Sequence, residues 1–233
     1  MAPRQLSLAV RLRDDARFTN FHSPVGSPRA QVAALLQAQA TEAETRVYVW
    51  GRDVGLSHLL QASCHQLVAS GGQALYLPLA DLVAQPPDDV FAELERAALV
   101  ALDQVDAVAG DPAWELALFD LCNRIEDRHG RLLLAAACAP RELALQLADL
   151  RSRLCASNVF HLPPYADAER AAILQFRAAG LGLAISAEAA QFILHRAPRN
   201  MAALLDCLRA LDQATLDHQR KPTIPVIKQV FGW

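Results

Sequence analysis

Apolar positions along the chain follow two regimes. In the first, short apolar runs at Arg46–Trp50, Ala74–Leu79, Leu99–Asp103, Leu132–Ala136 and Val159–Leu162 alternate with helical patterns at Leu56–Ser70, Asp88–Ala97, Pro112–Arg128 and Glu142–Leu147. The runs lack polar alternation, as expected of strands covered on both faces. Strands joined by helical crossovers predict an α/β fold, a mainly parallel five-stranded sheet with helices on both faces. The second regime follows the stiff break Pro163-Pro164-Tyr165-Ala166-Asp167. Beyond it only helical patterns occur, at Ala168–Ala179, Ser186–Ala197, Asn200–His218 and Thr223–Phe231. Asp167 is placed to cap the first of these and Ser186 the second. The pattern divides the chain into a tail (1–13), an α/β core (14–164) and a small all-helical subdomain (165–233).

Composition narrows the function classes. The chain has 233 residues, 53% of them apolar, and a net charge of −3. That balance points to neither nucleic acid nor an anionic membrane as a partner. No secretory h-region and no run of 18 apolar residues is present, so a cytoplasmic protein is expected. The five cysteines are odd in number and widely spaced, without a C-x-x-C pair. They read as reduced thiols. Seven histidines form no H-x-x-x-H pair, so no metal site is expected.

Chemistry is concentrated at the end of the first strand. Residues Val47–Trp50 run into Gly51-Arg52-Asp53-Val54-Gly55-Leu56-Ser57-His58. A strand, a Gly-containing turn and a helix start form the frame of a phosphate-binding P-loop, which presents backbone N–H groups to an anion. Leu56 holds the place of the P-loop lysine, and that cation is absent. Ser57 would still face a magnesium ion. The same string also suits an ordinary strand–turn–helix. Leu99-Val100-Ala101-Leu102-Asp103 has the Walker B pattern, with the acid at the C-terminal end of a buried strand, or is simply a strand end. The next residue is Gln104, an amide that cannot serve as a general base. In Leu150-Arg151-Ser152-Arg153-Leu154, two arginines mark either a solvated helix face, with Asp149 set to pair with Arg153, or an arginine finger. In the tail, Gln5-Leu6-Ser7-Leu8-Ala9-Val10 reads as an edge strand, a loose end, or a short linear motif whose Leu8 and Val10 fill an apolar pocket on a partner.

Taken in order and spacing, these pieces resemble the AAA+ family of the bacterial replication initiator DnaA, most closely its short inactivator branch, Hda. The resemblance is carried by Phe18-Thr19-Asn20-Phe21, Val49-Trp50, Ser57-His58-Leu59-Leu60, Ala109-Gly110-Asp111 with Trp114, Phe119-Asp120-Leu121 with Asn123-Arg124, and Gln219-Arg220-Lys221-Pro222-Thr223-Ile224-Pro225. It implies an AAA+ core with a helical lid. It implies that Gln5, Leu6, Leu8 and Val10 bind the DNA polymerase III sliding clamp. It also implies that Arg153 is an arginine finger acting in trans on the ATP form of DnaA, and that Asp103 is the Walker B acid. Gly51, Gly55, Leu56, Ser57, His58 and Asp103 would form a degenerate nucleotide site for ADP, weak or empty. Sensor 1 falls near Ala137 and sensor 2 at Ala202, both apolar where polar groups belong. The expected role is a negative regulator of replication initiation, replisome-associated, with no ATPase activity of its own and no sequence-specific DNA binding; a homo-oligomer is compatible with it. Two alternatives stay open. One is a residual ATPase or nucleotide switch, with Arg52 replacing the lysine and Gln104 positioning water. The other is an adaptor that binds the clamp or the initiator without stimulating hydrolysis.

Overall fold

A computed structural model describes residues 12–38, 45–218 and 222–233. The tail motif Gln5, Leu6, Leu8 and Val10 lies outside the described residues, as does Gln219-Arg220-Lys221. The chain divides into two compact units, with the boundary between Pro163 and Pro164.

The first unit is a five-stranded parallel sheet in the order β2-β3-β4-β1-β5. Its strands are β1 (Arg46–Trp50), β2 (Ala74–Pro78), β3 (Leu99–Asp103), β4 (Arg131–Ala136) and β5 (Asn158–His161). Burial explains the apolar runs. Every residue of β3 is buried, and so is every residue of β4 after Arg131, whereas the edge strands β2 and β5 alternate with exposed positions. The helices are α1 (Pro28–Gln37), α2 (Leu56–Ala69), α3 (Pro87–Val90), α4 (Pro112–Asp127) and α5 (Ala148–Cys155). Start signals are local. Ser27 accepts the N–H of Ala30 ahead of Pro28, and Asp111 accepts those of Ala113 and Trp114 ahead of Pro112. One core joins β3 and β4 to Phe91, Trp114, Leu118, Leu121, Leu150 and Leu154.

Two helical expectations need correction. Asp88–Ala97 is not one helix. It is the short α3, a turn, and a 3-10 turn at Leu94–Arg96, because Glu93 takes a left-handed conformation (φ +60°). Val90, Phe91, Leu94 and Ala97 are nevertheless all buried, so helical spacing of apolar residues survives without a continuous helix. Glu142–Leu147 is not helical beyond a 3-10 turn at Pro140–Glu142. Leu143 and Leu145 are buried alternately, as in an extended chain, and the helix begins only at Ala148.

The second unit contains α6 (Asp167–Gly180), α7 (Ala187–Arg196), α8 (Met201–His218) and α9 (Ile224–Phe231). Ser186 caps α7 through the N–H of Ala189, as expected. Asp167 does not cap α6. The N-cap is Ala166, whose N–H donates to Glu169 at 2.8 Å, while Asp167 pairs with Arg170 at 3.2 Å. A glutamate two residues into the helix reaches back and displaces the cap expected of the aspartate.

Candidate functional site

The sheet order brings the C-terminal ends of β1, β3 and β4 side by side, because β4 lies between β1 and β3. Both the loop after β1 and the acid at the end of β3 therefore open on the same edge of the sheet, where open α/β folds take ligands. Gly51 donates its N–H to the Ala136 carbonyl at 3.1 Å, which fastens the loop to β4. Its φ is +153°, and a Cβ there would collide with the Leu162 carbonyl oxygen and the Val54 side chain. Glycine is required at this point for both reasons. Arg52 and Asp53 project outward, and Val54 is buried. Gly55, at φ +83°, is the N-cap of α2 and provides no side-chain cap. Leu56, Ser57 and His58 form the first turn, all partly buried. Leu56 offers an apolar side chain at this helix start.

Asp103 is 3% exposed. Tyr76 Oη donates to its Oδ2 at 2.7 Å, and the Gln104 N–H donates to Oδ1 at 2.9 Å. The Ser57 side chain also favours the charged form of this carboxylate. Burial pushes the carboxyl above its ordinary range, against these three groups; the nearby Asp106 adds to the rise. Burial likewise raises the Tyr76 phenol, with the Asp103 charge as the second cause. Gln104 takes a left-handed conformation at φ +57°. Just beyond β4, the Ala137 N–H donates to Asp106 Oδ1 at 2.9 Å, and Tyr48 Oη donates to the Cys138 carbonyl at 3.0 Å.

Arg153 lies elsewhere, on α5. Leu150 and Leu154 anchor that helix in the core, and Arg151 and Ser152 face solvent. The Arg153 side chain is 27% exposed, pairs with Glu126 on α4 and lies 5.4 Å from the centre of the Phe119 ring. Glu126 also meets Arg46, at 3.5 Å. Asp149, the partner suggested by spacing, makes no ion pair among the described residues. The structure thus gathers Gly51, Gly55, Leu56, Ser57, His58 and Asp103 around one sheet edge, with Arg153 on a separate helix.

Four residues of this neighbourhood were not legible as site residues. Tyr76 stands on β2 two positions before Pro78, the register partner of Asp103, so it shares a face with that acid. Its only signal was a tyrosine in an otherwise aliphatic run. Gln61 is buried on α2 and accepts the Arg13 N–H at 2.9 Å. Glu126 was one charge among many at the end of α4. Glu115 is 2% exposed, an acid among the apolar positions of α4. Among the described residues, no group of three or more His, Cys, Asp or Glu side chains is arranged to hold a metal.

The fold resembles solved structures of DnaA and RuvB. It matches domain III of Thermotoga maritima DnaA with a TM-score of 0.77 and 18% identity, over 95% of this chain and 98% of that one. It matches AMPPCP-bound DnaA from Aquifex aeolicus with a TM-score of 0.71 and 17% identity, over 88% of this chain and 68% of that one. The Thermotoga maritima Holliday junction branch migration motor RuvB gives 0.64 and 15%, over 88% and 67%. Residues 167–231 match the family model described as the Hda lid domain. The chain thus has the fold of DnaA domain III, and its C-terminal helical unit is similar to the Hda lid domain.

Proposed function

We propose that this protein is an adaptor that suppresses replication initiation by stimulating ATP hydrolysis on DnaA, with no turnover of its own. Residues Gln5, Leu6, Leu8 and Val10 would tether it to the DNA-loaded sliding clamp, raising the effective concentration of a weak docking contact. Arg153 would then enter the site of an ATP-bound DnaA neighbour as an arginine finger. The Hda-type lid and the DnaA-type core support the partner.

The observation that carries this reading is a contrast between two cations. The chain's own loop has Leu56 where the phosphate-facing lysine belongs. Arg153, by comparison, is partly exposed and held by a carboxylate that is itself 59% exposed. An ion pair of that kind is worth about 0–1 kcal/mol. An arginine finger contributes on the order of 10³–10⁵ in rate, roughly 4–7 kcal/mol of transition-state stabilisation. Redirecting Arg153 therefore costs far less than it returns on a partner's γ-phosphate.

The residues present fit only part of the ADP that the family implies. The first turn of α2, uncapped by any side chain, suits a diphosphate held by the N–H groups of Gly55, Leu56 and Ser57. Asp103 already accepts from Tyr76 and Gln104, and a magnesium ion would have to compete with those contacts. Bound ADP would supply negative charge at that helix start and no reaction.

The test is hydrolysis by ATP-bound DnaA on clamp-loaded DNA. The wild-type chain accelerates it, and Arg153→Ala leaves the unstimulated rate. Equal stimulation by the two proteins would reject the finger. Hydrolysis by the purified chain alone, abolished in Asp103→Ala, would show instead that it is an ATPase.

A further inference from the structure

Glu115 is a carboxylate buried in the first turns of α4, and four hydrogen bonds converge on it. The Gly110 N–H donates to Oε1 at 2.8 Å. The Gln146 N–H reaches both oxygens, at 3.1 and 2.8 Å, and the Leu147 N–H donates to Oε2 at 2.7 Å. The Gln146 side chain closes the ring by donating Nε2–H to the Gly110 carbonyl at 2.8 Å. Gln146 and Leu147 immediately precede α5, and Leu147 is its N-cap. One acid on α4 thus sets where α5 begins.

Further contacts run along the same helix. Positions 115, 119, 122 and 126 fall on one face at helical spacing. Glu115 takes the entry to α5, Phe119 lies under the Arg153 guanidinium, and Glu126 pairs with it. Cys122, in between, is buried, and its thiol feels the charges of Arg46 and Arg153. The entry to α5 and the Arg153 side chain are therefore both held by a single stripe of α4.

We infer that Glu115 is a positioning residue for Arg153. It touches no reacting atom. It fixes the start of an eight-residue helix whose sixth residue is Arg153, so a shift at residues 146–147 moves the guanidinium with it. This inference rests on the arginine-finger reading above.

Glu115→Gln tests it. The amide keeps the side-chain shape but can no longer accept the Gln146 and Leu147 N–H groups on its nitrogen side. On clamp-loaded DNA, the maximal DnaA hydrolysis rate should fall about 10–100-fold, the cost of misplacing a group by about 1 Å. The concentration giving half-maximal stimulation should not change, because the tether is intact. Gln146→Ala, which removes only the link to Gly110, should lower the maximum by a smaller factor at a near-normal melting temperature, and this holds as a test if Glu115→Gln fails to fold. Val32→Ala, a destabilising change on α1, should keep the maximum at temperatures where it is folded. A wild-type maximum in both Glu115→Gln and Gln146→Ala would overturn the inference, as would an equal loss in Val32→Ala. Full stimulation by Arg153→Ala would overturn the underlying reading first, and the inference with it.

Discussion

Asp103, at the C-terminal end of β3, is held by its own protein. Its two hydrogen bonds come from donors, Tyr76 and the Gln104 N–H, and with the Ser57 side chain they favour the ionised form. Burial outweighs them and raises the carboxyl above its ordinary value. The consequence for stability has a definite sign. Because the folded state holds the proton more tightly than the unfolded state, stability falls as pH rises from the unfolded value to the raised folded one, and is flat above it. Asp103→Asn removes this dependence. Its melting temperature relative to the wild type should therefore be highest at neutral pH and should decline on acidification through that window. Thermal melts of both proteins across pH decide the matter. A difference that is constant, or that grows on acidification, would contradict the burial account.

At the scale of elements, α2 does two things. Its first turn follows the loop from Gly51 to Gly55, and its flank holds the segment before α1. His58 Nε2 lies 2.8 Å from the Arg17 carbonyl, Gln61 accepts from the Arg13 N–H at 2.9 Å, and His65 Nε2 lies 2.9 Å from the Arg13 carbonyl. These residues recur at i, i+3 and i+7, one stripe of the helix. The chain leading from the tail is thus fastened to the same helix that forms the loop's far wall. Gln61→Ala leaves the Arg13 N–H without its partner, at a cost of about 1–3 kcal/mol. Tryptic cleavage after Arg13 and Arg17 should then quicken by about tenfold for each 1.4 kcal/mol lost. Unchanged cleavage in native buffer would show that the stripe does not hold this segment. By contrast, α4 shows how an element can be legible while its role is not. Its apolar spacing and Asp111-Pro112 start were plain in the sequence, but the use of Glu115 to seat another helix was not.

For the whole molecule, thiol chemistry reports how the core is closed. Burial pushes the Cys64 thiol up to about 12 and the Cys122 thiol up to about 11, which suppresses the reactive thiolate. Cys138, Cys155 and Cys207 are only partly buried. A disulfide reagent should label these three in the native protein and reach Cys64 and Cys122 only on unfolding. Five fast thiols would mean a loosened core. No helix among the described residues is long and apolar enough to cross a membrane. The strands, their parallel pairing and the lid helices were legible because burial on both faces, helical period and capping leave marks within a few residues of one another. Local pattern failed at 88–97 and 142–147, where a left-handed residue and a distant carboxylate overrode it, and at Asp167, where Glu169 took the cap. The sequence by itself determined the fold class and the strand, glycine turn and helix start of residues 47–58, since each depends on residue type at a fixed local spacing. Only the tertiary structure decided which group satisfies which buried charge, pairing Tyr76 with Asp103, residues 146–147 with Glu115, and Glu126 with Arg153. Those partners lie 27 to 32 residues apart in the chain, and hydrogen bonding across such distances has no period to read.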